Sequence, residues 1–167
     1  MTNFDGIVHD IRESFFSDEK FSCEDISVHS DRFSDYEGNA VAEFFSGKSN
    51  SDISLSRLEA EYAGDNTVCL FFMRPSAAAY FVGGYMHVSL VEGEYGGALR
   101  QSLMNLFDFS LHRGGAKSEK WFYDFVSALS SKQKNTVLKY IFYVRDNYKD
   151  DLLGTDFERA ISIFSAS

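Results

Sequence analysis

Proline and cysteine are nearly missing from this chain, which has one Pro and two Cys in 167 residues. With Pro75 alone, a polyproline or Pro-rich low-complexity segment is excluded. Cys23 and Cys69 stand in unrelated contexts with no C-x-x-C spacing, so no disulfide scaffold is available. The pattern suits free thiols in a reducing compartment, with one long-range disulfide as the alternative. Long apolar runs are missing too: the stretches 68–73 and 77–82 are parted by Arg74 and Pro75, and neither is long enough to span a bilayer. The opening residues Met1-Thr2-Asn3-Phe4-Asp5 lack the basic start and apolar run of a secretion signal, so the expected address is cytoplasmic. Positive charge is scarce as well. Lys and Arg number 16 against 25 Asp and Glu, a net charge of −9, which disfavours nucleic acid and anionic membrane as partners.

Motifs of catalytic or metal-binding quality are also lacking. His9, His29, His87 and His112 show no H-x-x-x-H or H-E-x-x-H pairing, so zinc lacks its helical ligand pair. Asp31, Phe33, Asp35 and Glu37 superficially suggest a calcium loop. However, Phe33 fills its third position, Tyr36 its glycine position and Ala42 its closing glutamate position. Gly83-Gly84 and Gly96-Gly97 are followed by no Lys-Ser/Thr and sit in no G-x-G-x-x-G, so turns and close helix contacts are expected there. No serine lies in G-x-S-x-G. The expectation is therefore no catalytic residue, no cofactor and no metal. An enzyme with a site built from dispersed residues such as Glu43, His87 and Arg100 is the alternative, and a structural homo-oligomer with an apolar Phe and Tyr patch is a third class.

What is present is aromatic and helical. Phe and Tyr number 17 and 9, enough to fill much of a core, and a chain of this length can bury roughly 70% of its unfolded surface. Phe4, Ile7, Val8, Ile11 and Phe15 recur at helical spacing behind a capping Asn3. Short helical faces follow at 40–45, closed by Gly47, and at 53–62, closed by Gly64. Residues 67–73 read as a buried strand or an extended linker. Pro75 suits the first turn of a helix running to Leu90. Further helices are expected over 99–111 and 121–129, then from Ser131 behind the Ser130-x-x-Gln133 capping box, and last behind Thr155-x-x-Glu158. The expected architecture is mainly α: one globular domain over residues 1–167, a bundle of about seven helices with an irregular acidic segment near 18–38. An α+β fold with a small sheet including 67–73 is the alternative.

The charge is unevenly placed. Residues 1–66 hold 15 acidic and 5 basic residues, net −10, while residues 67–167 hold 10 and 11, net +1. Acid gathered in one third of a chain can act as a docking face for a basic partner. Its densest part is 18–38, where carboxylates alternate with Phe21, Phe33 and Tyr36, a mixture of steering charge and anchoring rings. The candidate partner-binding residues are Asp18, Glu19, Glu24, Asp25, Asp31, Asp35, Tyr36 and Glu37.

One stretch resembles a known group. Phe44-Phe45-Ser46-Gly47-Lys48, Asp52-Ile53, Leu70-Phe71-Phe72-Met73, Tyr80-Phe81 and Gly84-Tyr85-Met86, followed by Phe125, Leu129, Gln133 and Tyr140, resemble a family of small uncharacterised bacterial proteins found around polymorphic toxin systems. The resemblance covers about half the chain. It implies a helical single-domain protein and, as in some relatives, an immunity partner that neutralises a toxin. The expected function is thus an immunity or inhibitor-type protein that occludes a basic toxin domain, possibly a nuclease, through acidic residues of its N-terminal third.

Overall fold

The computed structural model describes residues 3–27, 36–62, 64–109 and 116–166. Among the described residues there are nine α-helices, four short 3-10 turns and no strand, so the fold is mainly α. Helix α1 (Phe4–Phe15) starts where expected, because Asn3 Oδ1 accepts the Gly6 N–H at 2.7 Å and satisfies one orphan donor of the first turn. It buries Ile7, Ile11 and Phe15. Helix α8 (Ser131–Tyr148) opens with the expected reciprocal box: Ser130 takes the Gln133 N–H, and the Gln133 side chain takes the Ser130 N–H.

Two local expectations are corrected. The last helix, α9 (Phe157–Ser165), is capped by Asp156 and not by Thr155. The Thr155 hydroxyl accepts from Gln101 Nε2 at 3.3 Å, which leaves the Asp156 carboxylate to take the Arg159 N–H at 3.0 Å. The small sheet considered for 67–73 does not form. Cys69–Phe72 is a 3-10 turn whose bonds are local, Phe71 N–H to Val68 and Met73 N–H to Leu70, and no described segment is extended beside it to pair with. The apolar run there reports burial of Cys69, Leu70 and Met73, not strand geometry.

The core is organised around α5 (Pro75–Val91), with Pro75 in its first turn. From Ala77 to Leu90 every residue is buried except the half-buried His87, so this helix has no solvent face. Helices α1, α2 (Cys23–Ile26), α6 (Gly97–Phe107) and α7 (Ala116–Ala128) all pack on it. Helix α8 packs on α1, where Ser14 and Thr136 share a hydroxyl hydrogen bond of 2.8 Å and Lys139 meets Asp10 at 2.7 Å. Helix α9 closes over α8 and α6. Buried Arg100 donates to the carbonyls of Ser89 and Gly93 at the end of α5 and lies 4.1 Å from the Tyr148 ring centroid. The aromatic surplus is mostly internal. Among the described Phe and Tyr residues only Phe4, Tyr36, Phe72, Tyr95 and Tyr123 are exposed.

Two glycines let α5 be approached on both sides. A Cβ at Gly83 would lie 2.2 Å from Phe15 Cβ, and one at Gly84 would lie 2.7 Å from Asn50 Oδ1. Asn50, only 1% exposed, donates from Nδ2 to the Phe15 carbonyl at 2.9 Å and to the Tyr80 carbonyl at 2.8 Å, and its Oδ1 accepts the Gly84 N–H at 3.0 Å. Tyr80 C=O and Gly84 N–H are the two ends of one i, i+4 rung of α5. The carboxamide therefore engages both ends of that rung while satisfying the last-turn carbonyl of α1.

Asn50→Asp keeps this shape but replaces a double donor with an acid facing two carbonyls. Burial among two carbonyls, with the Gly84 N–H as the one donor described, raises its folded pKa above the roughly 3.9 of the unfolded chain. The variant is therefore least damaged below about pH 4, and it loses stability as pH rises towards its folded pKa, by up to about 1.4 kcal/mol per pH unit. Denaturant unfolding of both proteins at pH 4 and pH 7 checks this; a deficit equal at both pH values would contradict it. Gly83→Ala gains helix propensity of about 1 kcal/mol but forces α1 and α5 apart, because Phe15 Cβ cannot rotate away. The clash is expected to win, lowering the melting temperature by several degrees, as scanning calorimetry would read.

Candidate partner-binding surface

Residues 16–27 leave α1 without a helical period, yet they are held by hydrogen bonds at fixed points. Tyr80 Oη, on α5, donates to the carbonyls of Ser17 (3.1 Å) and Glu19 (2.8 Å). The Phe21 ring packs on Tyr80 and Phe81, with centroids 5.0 and 5.9 Å apart, and the Phe21 carbonyl accepts the Gly47 N–H at 2.9 Å. Ser22 and Asp25 form a capping box over the single turn of α2, and the Ile26 carbonyl takes the Arg74 N–H. Backbone anchoring of this kind points the short polar side chains outward, and Asp18, Glu19 and Glu24 are exposed.

Helix α3 (Tyr36–Phe45) packs on α2 and supplies the rest of the face. Tyr36 is 62% exposed, and Glu43 is exposed in the last turn. The expected residues are not equivalent. Asp25 is engaged by Ser22, whose hydroxyl and N–H hold its carboxyl below the usual range, so it serves the α2 turn. Glu37 accepts the Tyr62 hydroxyl at 3.0 Å and joins α3 to the end of α4 (Leu55–Glu61). Asp31 and Asp35 lie outside the described residues. Glu24 is on α2, which packs on α3, and Tyr36 and Glu43 line one groove along α3, whereas Glu19 lines a different cleft with Phe21, Tyr80, Ala128 and Gln133, and Asp18 is exposed next to it in the chain.

Several acids on this side make no ion pair, although exposed Lys20 follows Glu19 in the chain and the Arg74 charge helps to lower the Asp25 pKa. Among the described residues Asp18, Glu19, Glu24, Glu37 and Glu43 have no Lys, Arg or His within ion-pair distance. The nearby cations Lys48 and Arg57 bridge Asp52 and Glu61. Next to α3 lies an open groove of about 480 Å³, lined in part by Tyr36, Glu43, Phe44, Lys48 and Glu61. Lys48 Nζ sits 4.2 Å from the Phe44 ring centroid, donates to the Phe44 carbonyl and lies 3.9 Å from Glu61 Oε2. Sequence reasoning missed this arrangement. The i, i+4 spacing of Phe44 and Lys48 is its only local signal, hidden by the intervening Gly47, which closes the helix as expected, at φ +70°.

The dispersed residues of the enzyme alternative do not converge. Glu43 lines the groove. His87 packs on Phe16 at 5.2 Å, where burial and then the Arg12 charge lower its pKa, and Arg100 is enclosed by Ser89, Gly93 and Tyr148. Among the described residues no group of His, Cys, Asp and Glu could hold a metal ion, and no helix is long and apolar enough to cross a membrane. Cys23 and Cys69 are both free thiols. Cys69 is enclosed near the hydroxyls of Tyr62 and Tyr85; burial pushes its thiol up to about 11 despite their hydrogen bonds. No family model, no curated protein and no solved structure matches the chain.

The thiols should behave differently. Half-buried Cys23 donates weakly to the Ala42 carbonyl at 3.6 Å, whereas Cys69 is both enclosed and protonated at pH 8. A disulfide reagent such as Ellman's is expected to titrate one thiol in the native protein and two in denaturant. Two thiols reacting natively at similar rates would contradict the enclosed site.

Proposed function

We propose that this chain is an immunity or inhibitor-type protein that binds a basic toxin domain through the α2–α3 face and blocks it by occlusion. The observation that carries the reading is the set of exposed carboxylates Asp18, Glu19, Glu24 and Glu43, which make no ion pair among the described residues, with Glu43 sharing a groove with exposed Tyr36. Exposed acids that make no bridge of their own leave their field free to act outside the molecule, where it raises encounter rates with a positively charged partner. An aromatic ring beside them offers contact area at little entropic cost, which slows dissociation. The resemblance of the 44–48 and 70–86 stretches to proteins found around toxin systems supplies the kind of partner. A nuclease fits best, because its nucleic-acid cleft is lined with the Lys and Arg that such a face would cover. The bacterial cytoplasm, where a producing cell needs protection, is the matching address.

The test is association with the product of a toxin gene neighbouring this one, measured as rates over increasing salt. The association rate is expected to fall steeply between about 0.05 and 0.5 M salt as the Debye length shrinks, with a smaller change in the dissociation rate. The triple variant Glu19→Gln, Glu24→Gln, Glu43→Gln should slow association roughly tenfold or more at low salt while leaving the melting temperature nearly unchanged. A rate indifferent to salt would overturn the acidic-face mechanism, and absence of binding would overturn the function.

A further inference from the structure

We propose that the groove beside α3 is a receptor for one arginine side chain of the basic partner, and that Lys48 is a built-in placeholder occupying the cation position in the free protein. This inference rests on the partner-binding reading above and adds to it the point of engagement. The groove offers what a guanidinium needs in one place. It has a ring face in Phe44, the Phe44 carbonyl near the C-terminal end of α3, and carboxylates in Glu43 and Glu61, and Lys48 now engages the ring, the carbonyl and Glu61. Its volume of about 480 Å³ is within the roughly 300–1,000 Å³ range of sites that enclose small ligands.

The chain's own lysine demonstrates the chemistry. Lys48 Nζ is over the Phe44 ring at 4.2 Å, hydrogen-bonded to the Phe44 carbonyl and 3.9 Å from Glu61. Its side chain is 22% exposed, so a long charged chain lies along the groove wall with most of its surface covered. That placement is weakly held. Glu61 is shared with Arg57 at 3.6 Å, the Glu61 side chain is about half exposed, and the groove stays open beside the ammonium. Swinging Lys48 out to water uncovers the Phe44 ring and carbonyl beside Glu43, while Glu61 keeps its bridge to Arg57. Guanidinium suits that setting better than ammonium, because its plane can stack on a ring while its edge donates to a carboxylate. Tyr36, exposed on the same groove, offers a second ring to the incoming chain.

The experiment is an NMR titration of the full-length protein with N-acetyl-arginine amide, with N-acetyl-citrulline amide as the neutral isostere. The arginine probe is expected to shift signals of residues 36–48 and of Glu61, and the citrulline probe to shift none. Lys48→Met keeps the stem and removes the competing ammonium, so it should bind the arginine probe roughly two- to fivefold more tightly. The pair Glu43→Gln, Glu61→Gln should abolish the localised shifts. Equal perturbation of every exposed acid, or a Lys48→Met variant that binds no more tightly, would overturn the proposal. A Lys48→Met variant with unchanged probe binding but intact, salt-sensitive association with the toxin domain would sink the groove and leave the function standing. Tighter probe binding with no toxin association would do the reverse. Should Lys48→Met melt early through loss of the contact to the Phe44 carbonyl, Lys48→Gln restores a donor there without the charge and should show the same gain.

Discussion

The carboxamide of Asn50 fixes the geometry on which the rest of the molecule depends. An α5 that is apolar on every side has no polar face to set its rotation, and apolar contacts alone tolerate many orientations. Three directional bonds from one side chain remove that freedom, because Nδ2 needs the Phe15 and Tyr80 carbonyls while Oδ1 needs the Gly84 N–H. Leaving any of them unmade in the interior would cost about 1–3 kcal/mol, so competing packings of α1 against α5 are penalised. Gly83 and Gly84 are the other half of the same device. They bring the α5 backbone close enough to Phe15 and Asn50 for those bonds to form.

The acidic face depends on this anchor. Tyr80, whose carbonyl Asn50 holds, uses its hydroxyl to tie down the carbonyls of Ser17 and Glu19. Lys48 stands two residues before Asn50, between that buried point and the left-handed turn at Gly47, whose N–H is bound to Phe21. Both sides of the surface, the 16–27 segment and the end of α3, are therefore positioned from α5. The carboxylates lie on short segments fixed by backbone bonds rather than on long flexible loops, which keeps their spacing constant without ion pairs.

How much of this could be read from the sequence follows from how local each interaction is. Asn3, Ser130 and Pro75 announce helix starts because their effects reach only three or four residues along the chain, and those starts fall where the pattern places them. Thr155 misleads because its hydroxyl is claimed by Gln101, a residue 54 positions away. The 67–73 run misleads because buried apolar residues read alike in a strand and in a 3-10 turn. Asn50 gives no local signal, since all its partners are at least 30 residues distant. For the surface, composition marks only the acidic third of the chain. It cannot separate Glu19 and Glu24, which are unpaired, from Asp25, which is spent on a cap, or Glu37, which is spent on Tyr62.

The distribution of cations sharpens the meaning of that surface. Several basic side chains away from it are committed: Lys139 to Asp10, Lys132 to the Glu13 carbonyl, Lys120 to Asp124, Arg145 to Asp146 and Arg100 to the end of α5. The acids are concentrated in residues 1–66, net −10, so like charges there repel and lower the stability of the free fold. A basic partner that covers this face removes the repulsion as it binds, so its binding free energy includes relief of a cost already present in the free protein. By linkage, the same partner raises the stability of the fold by mass action, because the unfolded chain offers no assembled face to bind. On the proposed reading, the repulsion is a cost of the free protein that partner binding returns.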